Sequence, residues 1–343
     1  MTDGTTDDEK LARALRVASD IESSLARVVV GQRSAIRLVL IAILARGHVL
    51  LEGDVGVGKT TLLRAFARAI GGGFARIEGS IDMMPGDLIY HTYITENGSP
   101  RVAPGPLIEH GEALAVFFFN EINRARPQVQ AVLLRAMAER SVTAFNQTRA
   151  MPHLLVFADR NRVEKGETFE LAAAARDRFM MEVAIEAPQS DEDRAAVVFD
   201  PMYHDVERLL ARSRANLIDY RDLEGISSTI QNHVSAAPAL QKYALELMDA
   251  TRQPARYGIK ISGVNVAELV EAGASPRGMS LMLRAARVHA LLAGRSHLVP
   301  ADLQAVFAPA MAHRVFFTPV NEFERQTIAP AFVSEILRCV AAP

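Results

Sequence analysis

The chain is poor in the residues that would make it a stapled, fibrous or membrane-embedded protein. Its single cysteine, Cys339, has no partner, so neither a disulfide framework nor a cysteine-based zinc site is available. The longest apolar run, Leu38 to Ala45, falls far short of the roughly 18 residues a membrane-spanning helix needs, so no bilayer span is expected. Neither sign of charge dominates. Against 38 Lys and Arg stand 40 Asp and Glu, a net of −2, and the bulk positive charge that drives non-specific binding to nucleic acid is missing. With 21 Gly and 16 Pro in 343 residues, collagenous and low-complexity classes fall away as well. The nine histidines show no H-E-x-x-H spacing, which argues against a catalytic zinc. Gly273-Ala274-Ser275-Pro276 begins like a nucleophile elbow, but Arg277 stands where its second glycine belongs. The opening residues, acidic and polar from Thr2 to Glu9, lack the basic-then-apolar order of a secretory leader, which points to the cytoplasm.

What is present is a core-forming composition, 49% hydrophobic, in a chain long enough for two or three domains. Leu11, Leu15, Ala18, Ile21 and Leu25 recur at helical spacing, and His48 to Glu52 reads as a buried strand running into a glycine loop. A helix from about Thr60 to Ile70, apolar strands at 113–119 and 154–158, and a helix over 129–140 continue the alternation of a parallel sheet with crossover helices. Two segments break that pattern. Tyr90 to Pro106, with Asn97-Gly98 at its middle, and Ser141 to Met151, with Asn146 at its middle, each read as hairpins. From Ala187 onward strand signals largely stop. Leu240, Tyr243, Ala244, Leu247 and Met248 line one helical stripe, and Ser275-Pro276 opens a further helix that Gly294 closes.

Gly53-Asp54-Val55-Gly56-Val57-Gly58-Lys59-Thr60 matches G-x-x-x-x-G-K-S/T between a strand and a helix, the context that a P-loop requires. Its glycines let backbone N–H groups close around phosphates, Lys59 reaches the β- and γ-phosphates, and Thr60 ligates Mg²⁺. ATP and Mg²⁺ are therefore the expected ligands. Some sixty residues on, Val116-Phe117-Phe118-Phe119-Asn120-Glu121 has the form of the second nucleotide motif. P-loop ATPases normally place Asp-Glu there; here Asn120 stands in the metal-shell position while Glu121 keeps the place of the base. An amide accepts a hydrogen bond from metal-bound water but brings no negative charge, so metal affinity or turnover should suffer unless something compensates.

Together these residues resemble the MoxR-like AAA+ ATPases, relatives of the magnesium-chelatase ATPase subunit. The resemblance covers nearly the whole chain. It rests on Val30-Gly31-Gln32, Gly47 to Gly53, Pro104-Gly105-Pro106, Asn120-Glu121-Ile122-Asn123-Arg124-Ala125, Asp177-Arg178-Phe179 and Gly273-Ala274-Ser275-Pro276-Arg277. The wording around Phe118 to Glu121 and Ala158 to Arg162 looks like the branch found with methanol dehydrogenase genes. The resemblance implies an α/β AAA+ P-loop core with hairpin inserts over 1–187, a helical connecting segment over 188–235, and a smaller all-α lid over 236–343. It implies that ATP sits between core and lid, with Thr61, Gly31 and Gln32 joining the P-loop residues around it. Asn161 takes the place of the sensor that positions water, Arg178 that of an arginine finger reaching a neighbouring subunit, and Arg277 that of the sensor arginine of the lid. A ring, expected to be a hexamer, follows from the finger. The resemblance further implies a partner with a von Willebrand factor A domain and a chaperone role toward a client such as methanol dehydrogenase or its metal-insertion factors.

Asp159 stands where the family usually has Thr, two residues before Asn161 on a strand next to that of Asn120. It is the candidate for the carboxylate that Asn120 lacks, and a solvent-facing Asp159 is the alternative. Two readings from other classes stay open. One is a nucleotide-gated scaffold in which Asn120 suppresses hydrolysis. The other is a DNA-acting regulator, against which stands the lack of a G-A-F-T-G-A loop and of a helix-turn-helix.

Overall fold

The computed structural model describes residues 7–160 and 169–343. The chain opens with two helices, α1 (Asp7–Leu25) and α2 (Arg33–Leu44), and then enters β1 (His48–Glu52). The P-loop leads into α3 (Lys59–Ile70) and β2 (Gly73–Glu78). A hairpin, β3 (Tyr90–Ile94) with β4 (Pro100–Pro104), precedes β5 (Leu114–Asn120) and α4 (Pro127–Glu139). A second hairpin, β6 (Ser141–Ala144) with β7 (Gln147–Ala150), precedes β8 (Leu155–Arg160); then come α5 (Ala173–Arg176) and β9 (Phe179–Ala184).

Five of these strands form one parallel sheet in the order β2-β5-β8-β1-β9. Side chains alternate across it as the period of a strand demands. Leu50, Phe117, Phe119, Val156 and Ala158 face a cluster with Val129, Leu133 and Ala136 of α4, whereas Val49, Leu51, Val116, Phe118 and Phe157 face the other helices. Each of the three phenylalanines of β5 is wholly buried, worth about 1.5–3 kcal/mol apiece in removed apolar surface. The strands β2 and β9 carry no clear sequence signal. Gly73–Glu78 mixes polar residues on an edge, and Phe179–Ala184 is interrupted by Glu182.

Both hairpins form as their turn residues predict. Phe145 (φ 53°) and Asn146 (φ 61°) both adopt the left-handed conformation of a two-residue hairpin turn, and Gly98 does so (φ 75°) in the other loop. The hairpins touch at Tyr90 and Phe145, whose ring centroids lie 5.7 Å apart.

Beyond the sheet run α6 (Asp191–Phe199), α7 (Val206–Ala211), α8 (Leu223–His233) and α9 (Pro238–Arg252). The chain continues through β10 (Val270–Ala272), α10 (Pro276–Leu292), α11 (Pro300–Met311), β11 (Phe316–Phe317), α12 (Pro319–Glu322) and α13 (Arg325–Cys339). Ser275 caps α10, its hydroxyl accepting the Gly278 N–H at 2.9 Å, with Pro276 in the first turn. The lid is helical apart from the antiparallel ribbon of β10 and β11. Among the described residues no helix is long and apolar enough to cross a membrane.

Candidate nucleotide site

In a parallel sheet the carboxyl ends of the strands point their loops to one edge, and ligands bind there. At that edge β1 delivers the P-loop, β8 stands next to β1, and β5 stands next to β8. Gly56 (φ 80°) and Gly58 (φ 90°) take the left-handed conformation that lets consecutive N–H groups turn inward, and α3 begins at Lys59. Lys59 is buried, its Nζ donating to the Gly53 carbonyl at 2.7 Å and pairing with Asp159 Oδ2 at 2.9 Å.

Asp159 is the hinge of this arrangement. It is 1% exposed, which excludes the solvent-facing alternative, and its Oδ1 accepts the backbone N–H of Glu121 at 2.5 Å. Burial pushes its carboxyl up from the ordinary range, and the Glu121 N–H and Lys59 oppose that. One carboxylate thus ties the P-loop lysine to the backbone of Glu121. Both its oxygens are engaged, so Asp159 meets a metal ion only if Lys59 exchanges it for a phosphate.

Glu121 itself sits in the left-handed region (φ 53°, ψ 49°), a conformation that costs a non-glycine residue about 1–2 kcal/mol. Its side chain accepts from Arg124 Nη1 at 3.0 Å. Gly79 supports the turn from the neighbouring strand: its N–H donates to Asn120 O at 2.8 Å, and a Cβ there would lie 2.2 Å from Glu121 O. Asn120 ends β5 half-buried, opposite Glu78. Among the described residues no group of three or more His, Cys, Asp or Glu side chains could hold a metal ion by itself. The oxygens of Thr60 and Asn120 fit a Mg²⁺ ion that takes its remaining ligands from phosphates and water.

Asn161 lies outside the described residues. The residue before it, Arg160, was not singled out by sequence and proves to be structural: it bridges Glu52 of β1 (3.1 Å) and Glu182 of β9 (3.0 Å) behind the P-loop. Burial pushes the Glu182 carboxyl up, against the pull of Arg160. Arg178 is half-buried, with Nη1 donating to Ala174 O at 2.6 Å. Arg277 is mostly exposed and pairs with Asp177 Oδ2 at 3.3 Å, the residue adjoining Arg178. Arg277 thus contacts the residue before Arg178, while the Arg178 side chain itself turns to Ala174.

The sequence pattern of the ATPase family associated with various cellular activities matches residues 48–181, and that of the AAA lid domain matches 264–336. Protein MoxR of Methylorubrum extorquens is 56% identical over 326 residues, covering 95% of each chain. The chain belongs to the MoxR family of AAA+ ATPases. Protein MoxR of Paracoccus denitrificans is 52% identical over 94% of this chain and 96% of its own, and Chaperone MoxR1 of Mycobacterium tuberculosis is 32% identical over 92% and 80%. The crystal structure of a Cytophaga hutchinsonii protein assigned as an ATPase superposes with a TM-score of 0.82 at 29% identity, covering 98% of both chains.

For this MoxR-family chain the cavity beside the P-loop differs from expectation in what walls it. Its space of about 460 Å³, within the range of small-molecule sites, is lined by Val28 to Val30, Val55 to Gly58 and Thr61 on one side. Ala187, Pro188, Arg194, Val198, Tyr203 and Leu209 line the other side, and no residue from 236 onward takes part. The wall facing the P-loop across this cavity is thus built from residues between Ala187 and Leu209. The reason lies in the sheet: β9 pairs directly with β1, Ile185 N–H donates to Glu52 O at 2.7 Å, and so the chain leaves the sheet beside the P-loop. Gly31 and Gln32 are not among the lining residues. Gly31 (φ 74°) packs on Pro188, and the buried Gln32 amide donates to the Glu186 carbonyl, which fixes the valine wall against that exit. Sequence reasoning missed this wall: Val30 entered only with Gly31 and Gln32 as part of the family resemblance, and Val28 and Val29 were not singled out as site residues.

Proposed function

We propose that this chain is an ATP-hydrolysing, ring-forming chaperone of the MoxR type. The observation that carries the reading is the contact of Asp159 with both Lys59 and the Glu121 N–H, which assembles phosphate-binding and base positions around one point. The P-loop amides and Lys59 hold the phosphates of ATP, the valine wall takes its base, and Thr60 and Asn120 hold Mg²⁺, which supplies charge neutralisation on the phosphates. Asp159 contributes beside them the negative charge that Asn120 lacks. Glu121 takes the proton of the attacking water with Asn161 orienting it, while Arg178 from a neighbouring subunit and Arg277 from the lid offset charge on the transferred group. That division of labour needs a closed ring, for which we take six subunits, in the cytoplasm. The relatives named MoxR and Chaperone MoxR1 support a client-remodelling role. Methanol dehydrogenase or its metal-insertion factors, with a von Willebrand factor A domain partner, is the client class the resemblance favours.

A second reading, a nucleotide-gated scaffold, is favoured by Asn120 and by the Arg124 contact that engages Glu121. Mg²⁺-dependent turnover of the wild type beside Glu121→Gln and Asn120→Asp, at matched assembly state, separates them. Wild-type turnover abolished by Glu121→Gln supports the motor. Nucleotide binding without turnover, restored by Asn120→Asp, supports the scaffold.

A further inference from the structure

The segment that carries Arg178 is held from within by the lid. Arg314, in the turn between α11 and β11, is 2% exposed and spends each of its five N–H groups on carbonyl or carboxylate oxygens. Its Nε donates to Asp177 Oδ1 at 3.2 Å, Nη2 to Asp177 O at 3.1 Å and Nη1 to Met180 O at 3.2 Å. The remaining two N–H groups go to Phe179 O and Ala310 O. His313, beside it, is 3.1 Å from Phe179 O through Nε2. From the other side Ser275 Oγ donates to Asp177 Oδ1 at 2.6 Å, and Arg277 pairs with Asp177 Oδ2. Even Gly278 belongs to the arrangement, since a Cβ there would lie 2.4 Å from Arg314 Cδ.

The residues flanking Arg178, 177 on one side and 179 and 180 on the other, are thus fixed to the start of α10 and the end of α11. The guanidinium of Arg178 is not: its Nη1 bonds Ala174 O, while its buried Nε has no partner among the described residues. A buried cation is a costly way to seal a junction, which apolar packing would close at less expense of desolvation. A planar fork with five fixed donors does something packing does not, which is to set backbone positions.

We propose that Arg314, with Asp177 and Ser275, is the positioning unit of the finger, so that the lid of one subunit sets the placement of Arg178 in the next subunit's site. The inference rests on the reading of Arg178 as a finger acting across a ring interface. Lid movement then alters hydrolysis next door before it alters the subunit's own site. Removing the unit leaves nucleotide binding within the chain intact, because none of these residues lines the cavity beside the P-loop.

The test uses full-length chains mixed into one ring. Arg314→Gln and Asp177→Asn are each assayed alone, then mixed with Glu121→Gln, whose own site is dead but whose finger is intact, and with Arg178→Ala, whose finger is absent. A misplacement of about 1 Å costs on the order of 100-fold in rate, so each variant alone should lose about that in kcat, with KM and the affinity for a fluorescent ATP analogue little changed. Turnover should return on mixing with Glu121→Gln and not on mixing with Arg178→Ala. Asp177→Asn, isosteric and half-buried, carries the test if Arg314→Gln does not fold. The proposal is overturned if Arg178→Ala is rescued by Glu121→Gln while Asp177→Asn and Arg314→Gln are not, or if those two turn over like the wild type. If the Arg178→Ala pairing itself fails to recover, the cross-subunit finger is wrong and the inference falls with it.

Discussion

Replacing Asp159 by Asn removes one charge and keeps nearly all the shape, and the structure fixes what should follow. The amide oxygen can still accept the Glu121 N–H, but Lys59, buried with it, loses its anionic partner at 2.9 Å. Removing one member of a buried pair costs about 3–5 kcal/mol, and a charged hydrogen bond is worth about 1.5–3. With the acceptor geometry preserved, about 3 kcal/mol is the reasoned loss for the nucleotide-free protein. At roughly 2–4 °C per kcal/mol that lowers its melting temperature by about 6–12 °C. ATP should reverse the sign. Lys59 no longer has to leave a carboxylate to meet a phosphate, and a negative group near the triphosphate has gone. ATP affinity in EDTA should therefore rise, by about tenfold if 1.4 kcal/mol of the pair is released. With Mg²⁺ present, turnover should fall, because the charge missing at Asn120 is then missing altogether. Thermal melts with and without ATP, calorimetric binding in EDTA, and Mg²⁺ titrations of turnover measure the three effects. An unchanged melting temperature, or weaker ATP binding in EDTA, would refute the reasoning from the Lys59–Asp159 contact. Unaltered Mg²⁺ dependence would refute only the relocated charge.

Two further outcomes are expected elsewhere. Gly79→Ala places a Cβ 2.2 Å from Glu121 O, against backbone that cannot rotate away, so it should shift the base and lower kcat by about 100-fold while leaving ATP affinity close to wild type; equal kcat would contradict the geometry. His48 is buried with Nδ1 accepting the Val156 N–H at 2.9 Å, and burial first, then the charge of Arg140, lower its pKa to about 3. The unfolded chain takes up this proton near pH 6.5 and the fold does not. Stability should therefore be fully present above about 6.5 and fall by about 1.4 kcal/mol per pH unit below it, toward 3. His313, likewise buried and lowered, adds in the same direction. Denaturant midpoints at about pH 7.5 and 5.5 check this: His48→Gln should be less steep by about one proton, and a wild-type midpoint equal at both values would count against it.

Much of the architecture was legible because it is local. The P-loop spacing, the apolar runs of β1, β5 and β8, the Ser275-Pro276 cap and the Asn-containing hairpin turns are short-range signals, and each appears where its chemistry placed it. The edge strand β2 and the ribbon β10–β11 were not legible, since their pairing is decided by distant neighbours.

What the sequence determined alone is the set of motifs: a phosphate loop, an apolar strand ending in Asn120-Glu121, and an arginine after Asp177. Tertiary structure decided how these parts are wired. Register brought Leu51 opposite Asp159 and Phe119 opposite Ala158, and so set Asp159 between Lys59 and Glu121. The pairing of β9 with β1 brought the chain after Ala184 past the P-loop, and the packing of the lid made Arg277 and Arg314 converge on Asp177. A carboxylate's partner depends on which strand lies beside it and in which register, and residues a hundred positions apart carry no trace of that in their spacing.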